Sequence, residues 1–109
     1  MKFEPTFGTA APLVGMVHLP PLPGAPKAPD DGDKAMRAAI DRAASDARAL
    51  DRGGVDGIVI ENFGDAPFYP DEVPPHVVAG VTRAATAVAA ETDIPLGINV
   101  LRNDAKAAL

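Results

Sequence analysis

The 109-residue chain is 47% hydrophobic and carries 15 acids against 10 bases, a formal net charge of −5. That is enough apolar material for one small globular core and too much for a disordered chain, and the acidic balance argues against a nucleic-acid surface, which needs clustered Lys and Arg. There is no cysteine, which excludes disulfides, thiolate metal sites and cysteine nucleophiles.

Met1-Lys2-Phe3-Glu4-Pro5 lacks the apolar core of a signal peptide. No apolar stretch approaches the ~20 residues that span a bilayer. The expectation is a cytoplasmic protein with no direct membrane insertion. Residues 1–12 read as a loose lead-in. Leu13-Val14-Gly15-Met16-Val17-His18-Leu19 reads as a first strand, apolar on both faces. Pro20-Pro21-Leu22-Pro23-Gly24-Ala25-Pro26 follows, and proline lacks the amide donor and fixes φ, so this is a stiff extended loop. A proline-rich ligand for a signalling domain is the alternative, disfavoured by the buried strand directly before it.

Asp30, Asp31, Gly32 and Asp33 supply turn and cap residues for a helix from Asp33 to about Arg52. Its apolar stripe is Met36, Ala39, Ile40, Ala43, Ala47 and Leu50, and Gly53-Gly54 stops it. Gly57-Ile58-Val59-Ile60-Glu61 has the β-branched run of a buried parallel strand. Asn62 to Pro75 is a second proline-containing loop. Val77 to about Glu91 is a second helix, with Val77, Val81, Ala84, Ala85, Val88 and Ala89 facing the core. Ile94 to Leu101 reads as a third strand, and Asn103 or Asp104 caps a helix start that runs out at Leu109.

The order β-α-β-α-β-(α) predicts a parallel α/β sheet with right-handed crossovers. An open nucleotide-binding sheet would place a Gly-rich phosphate loop after its first strand, where this chain has prolines. Long βα loops and short αβ connections fit a TIM (β/α)8 barrel. Three strands cannot close such a barrel, so residues 1–109 are expected to be its N-terminal portion, a partial domain.

Three blocks carry a family resemblance. They are Gly15-Met16-Val17-His18-Leu19-Pro20-Pro21-Leu22-Pro23-Gly24, Gly54-Val55-Asp56-Gly57-Ile58-Val59-Ile60-Glu61-Asn62-Phe63-Gly64-Asp65-Ala66-Pro67-Phe68, and Gly97-Ile98-Asn99-Val100-Leu101-Arg102-Asn103-Asp104. In that order they resemble the BtpA/SgcQ family and span nearly the whole chain. The resemblance implies a barrel related to those that bind ribulose-phosphate-like ligands, in members considerably longer than this chain. It also implies two functional branches, one in photosystem I biogenesis and one among sugar-metabolism genes.

Alternation along the strands predicts one face holding Met16 and His18, Gly57, Val59 and Glu61, and Gly97 and Asn99. Ile58 and Ile60 then lie under the helices. His18, Glu61 and Asn99 should meet at the mouth, with Asn62, Asp65, Arg102, Asn103 and Asp104 on the loops above. Glu61 is the first candidate, as a general base or a ligand of a divalent metal; its bland reading is a pair with Arg102 or a cap on loop amides. His18 is a proton carrier or metal ligand, or a histidine hydrogen-bonded under the proline loop. Asp65 joins them as a candidate acid, or forms an Asx-turn.

Asn99 and Asn62 could bind a sugar hydroxyl or carbonyl, and Arg102 a phosphate or carboxylate. Asp104 is either a ligand contact or a helix N-cap. His76 reads as solvated, and Phe63, Phe68 and Tyr69 as packing for their loop. No spacing motif enforces a metal site. The expected function is enzymatic, on a small polar metabolite, a phosphorylated sugar being one candidate, with a homo-oligomer left open. The alternative is a non-catalytic assembly factor for a membrane complex such as photosystem I.

Overall fold

The computed structural model describes residues 2–109. Three short strands, β1 (Val14–His18), β2 (Gly57–Glu61) and β3 (Leu96–Asn99), form a parallel sheet in the order β1-β2-β3. Val14 pairs with Gly57 through to His18 with Glu61, and Ile58 with Leu96 through to Glu61 with Asn99. This in-phase register lines up His18, Glu61 and Asn99 as one row at the carboxyl ends of the strands.

Two long helices cover one face. Helix α2 spans Gly32–Gly53 and α3 spans Pro75–Ala89. The core joins Val17, Ile58 and Ile60 of the sheet to Met36, Ala39, Ala43 and Ala47 of α2 and Val77, Val81, Ala84 and Val88 of α3. The alanine stripe lets α2 lie close to the sheet. Asp31 caps α2 by accepting from the Lys34 N–H at 3.1 Å, and Gly54, at φ 85°, closes it in the left-handed region. Among the described residues no helix is long and apolar enough to cross a membrane.

The opposite sheet face carries Val14 and Met16, 40% and 43% exposed. Its amino-terminal end is covered by the lead-in, which is more ordered than its composition suggests. Glu4–Phe7 form a single helical turn, α1, closed by Gly8 at φ 73°. Phe7 packs on Gly57 so closely that a Cβ there would lie 2.7 Å from the ring. The glycine supplies the space that the aromatic ring fills.

Several element boundaries differ from expectation, two of them for identifiable reasons. α3 begins at Pro75 rather than Val77, because proline is well suited to a first helical turn, where no N–H is needed. β3 ends at Asn99, because beyond it the backbone of Leu101 is taken by the Asn62 side chain. A final turn, α4 (Ala105–Ala108), is capped by Asp104.

The proline loop after β1 is not a free extended ligand. Leu19 and Leu22 are each 1% exposed, and Leu22 packs on Gly80 of α3. Backbone bonds join this loop to the turn after β2: Leu19 N–H donates to the Glu61 carbonyl at 2.9 Å, and Gly64 N–H to the Leu19 carbonyl at 3.0 Å. A Cβ on Gly64 would lie 2.6 Å from Leu19 O and Pro21 N, both fixed backbone atoms. Gly64→Ala is therefore expected to destabilise by ~1–3 kcal/mol or more through overpacking. Gly53→Ala, with nothing within 4 Å of its Cβ, should stabilise by about 0.4–1 kcal/mol. Urea unfolding of the two variants measures this opposition of sign.

Candidate functional site

The alternation of β2 puts Glu61 on the face away from the helices and Ile60 and Asn62 on the other. Glu61 is the centre of the row at the strand ends. His18 Nε2 stands 3.0 Å from Glu61 Oε2, and Asn99 Nδ2 donates to Glu61 Oε1 at 2.8 Å. The Glu61 side chain is 12% exposed and that of His18 48%, so the histidine is the outer member and the carboxylate the inner one. The expected meeting of His18, Glu61 and Asn99 is present in full.

Phe63 adds a partner that sequence reasoning placed elsewhere. Its ring stacks on the His18 imidazole with centroids 4.5 Å apart and planes 17° from parallel. It is 54% exposed. It therefore braces the histidine and forms no loop-packing cluster with Phe68 and Tyr69. The available signal was position: Phe63 lies between Asn62, which is 2% exposed, and the close-packed Gly64, so its own side chain has only the mouth to occupy.

Asn62, Asp65 and Asp104 do not reach this row. The Asn62 carboxamide accepts from Leu101 N–H at 2.7 Å and donates to Leu101 O at 3.2 Å. It acts as one more rung between the ends of β2 and β3. Asp65 accepts from Leu22 N–H at 2.8 Å and from Asn62 Nδ2 at 3.4 Å, fastening the proline loop to the 3-10 turn Phe63–Asp65. Burial pushes its carboxyl pKa up, opposed by the Leu22 N–H, the Asn62 amide and the charge of His76. Asp104 accepts from Val73 N–H at 2.8 Å and Ala107 N–H at 2.9 Å. These two backbone bonds hold its carboxyl below the ordinary range.

Arg102 is exposed and forms no ion pair among the described residues. Glu61 pairs with His18 instead. The backbone of Arg102 bonds to the second loop, N–H to Tyr69 O at 3.3 Å and carbonyl from Asp71 N–H at 2.9 Å. His76 is exposed and lies beside Gly24, where a Cβ would come within 2.9 Å of its Nε2. Among the described residues no three His, Asp or Glu side chains converge as a metal-ligating group. Asp65, grouped with His18 and Glu61 in the sequence reading, turns to the proline loop.

Comparison with known proteins supplies a family. A model of the BtpA family matches residues 9–109. The chain is 50% identical over 97 residues to an uncharacterized protein of Archaeoglobus fulgidus, covering 89% of this chain and 37% of that one. It is 46% identical over 109 residues to the photosystem I biogenesis protein BtpA of Synechocystis, covering 100% of this chain and 37% of the relative. SgcQ of Escherichia coli is 36% identical over 94 residues, 86% of this chain and 34% of its own length. The chain thus spans about a third of the length of the curated relatives it matches. No solved structure matches.

Two measurements test the roles of the buried polar residues. Asn62→Ala leaves the Leu101 N–H and carbonyl unpaired and should cost about 2–3 kcal/mol in urea unfolding. Asp104 has a depressed folded-state pKa, so its contribution is present above the ordinary carboxyl value of 3.8 and is lost as pH falls through the folded one. Asp104→Asn should flatten the acid limb of the stability profile below about pH 4.

Proposed function

We propose, for a chain that belongs to the BtpA family, that the row at its strand ends is a proton-transfer centre. Its ligand is a small polar metabolite of the phosphorylated-sugar class. The fold in this reading is the first three strands of a TIM barrel. Two features support it: the polar row stands at the carboxyl ends of parallel strands, where barrel enzymes carry their chemistry, and both faces of the sheet have apolar surface left to cover. One such surface is Val14 and Met16. The other is an apolar groove of about 370 Å³ along α3 and β3, lined by Val78, Val81, Ala85, Leu96 and Ile98.

The observation that carries the reading is the His18–Glu61–Asn99 chain of contacts. Asn99 fixes one carboxylate oxygen, and the other fixes the imidazole by its Nε2, leaving Nδ1 as the basic atom. Phe63 holds the ring plane. His18 is then the group that accepts and returns a proton, and Glu61 orients it. His18 keeps the proton-carrier role expected from sequence, and Glu61, the less exposed of the two, becomes its orienting partner rather than the general base. Arg102, exposed just beyond β3, would meet an anionic group of the ligand in this reading.

A second reading has one observation in its favour: the Synechocystis relative, matched along the whole chain, is named for photosystem I biogenesis. In that reading the same loops dock a protein of a membrane complex and no proton is transferred.

Thermal-shift screening against sugar phosphates, with and without divalent cations, separates the two. The proton-transfer reading expects a stabilising ligand whose turnover falls about 10²–10⁴-fold in His18→Ala. Glu61→Ala should abolish the shift or the turnover. If both variants bind and turn over each ligand found as the unaltered protein does, that reading is lost. The docking reading expects no metabolite to shift the melting temperature.

A further inference from the structure

A carboxylate accepts hydrogen bonds and donates none. Glu61 accepts from the Nδ2 amide of Asn99 at 2.8 Å, and His18 Nε2 stands 3.0 Å from its other oxygen, where two lone pairs would repel and a proton on Nε2 is favoured. The consequence falls on the remaining atoms of those two side chains. A neutral imidazole that donates from Nε2 carries a lone pair on Nδ1. A carboxamide that donates from nitrogen has its Oδ1 left as acceptor. Both residues are exposed, so these acceptors belong to the ligand side of the row.

The backbone around the row points the same way. An anion is commonly gripped by successive free N–H groups on a turn or loop. Here several of those groups are already engaged: Leu19 N–H by Glu61 O, Gly64 N–H by Leu19 O, and Asp65 N–H by Asn62 O. Leu22 N–H is taken by Asp65 and Leu101 N–H by Asn62. The Glu61 charge adds repulsion to any anion seated against the row. Phe63, half-exposed beside His18, contributes apolar ring surface.

We infer that the row is an acceptor pair that recognises a donor, namely two neighbouring hydroxyl groups of a polyhydroxylated ligand. The carbon face of that ligand lies along Phe63. A phosphate on the same molecule is held away from the row. This rests on the row being a ligand site, and it specifies which end of the ligand the row takes.

The test is NMR on the full chain at about pH 8.5, above the ordinary imidazole range, following the His18 ring nitrogens and the Asn99 side-chain amide. The expected tautomer is Nε2–H. D-ribose or ribitol at millimolar concentrations should shift both sets of signals. Loss of one hydroxyl in 2-deoxy-D-ribose should weaken binding roughly tenfold, and succinate should leave the signals unmoved.

Glu61→Gln preserves shape but makes position 61 a donor to one partner. His18 or Asn99 must then turn a donor outward, and ribose binding should weaken by roughly tenfold. Spectral dispersion confirms that the variant is folded. Succinate binding as well as ribose, equal binding of ribose and 2-deoxyribose, or no shift with either polyol would each overturn the inference. If the Nε2–H tautomer is present in those cases, the proton-transfer centre still stands. An Nδ1–H tautomer removes the arrangement on which both depend.

Discussion

Asn62 sends its carboxamide from the end of β2 to the backbone of Leu101, accepting at 2.7 Å and donating at 3.2 Å. A side chain here does what a strand neighbour would do, just where the strands stop pairing. The ends of β2 and β3 are thereby kept side by side, and the Asn99–Glu61 contact, two residues back along β3, inherits that spacing. Because the amide is 2% exposed, water does not compete for its bonds, and loss of either partner would leave a buried polar group unpaired. The row at the mouth is built on this one buried pair.

The same economy of buried polar groups runs through the neighbouring loops. Asp65 fastens the proline loop by Leu22, Asp104 joins the second loop to α4 through Val73 and Ala107, and Gly64 lets two backbones touch. These residues are the scaffold of the strand ends, and His18, Glu61, Asn99 and Phe63 are what it displays. The distinction follows from burial: Asn62, Asp65 and Asp104 are each below a tenth exposed, while His18, Asn99 and Phe63 are open to solvent.

Much of the fold is legible in the sequence because its signals are local. The helix stripes, the Gly53-Gly54 stop and the β-branched run of β2 each act within a few residues. The His18–Glu61–Asn99 row is legible too, since strict alternation together with in-phase pairing leaves one arrangement of the strand ends. Asp104 was legible as the N-cap of α4, but Asn62 and Asp65 were not assignable. A loop carboxylate looks alike in sequence whether it meets a ligand or an N–H 43 positions away, as Asp65 meets Leu22. The turn at Glu4–Phe7 was hidden for a similar reason: its reward is the Phe7 contact with Gly57, fifty residues distant.

The loops above the strands carry a dynamic consequence. Loop amides usually exchange their hydrogens quickly, because solvent reaches them without any unfolding. Here Leu22 and Leu101 give theirs to buried side chains, and Leu19 and Gly64 give theirs to carbonyls of the facing loop. Their exchange then requires these bonds between neighbouring strand ends and loops to break, so these amides report local opening at the strand ends. Were this the ligand site proposed above, its surroundings would be ordered before binding and little binding energy would go to immobilising them.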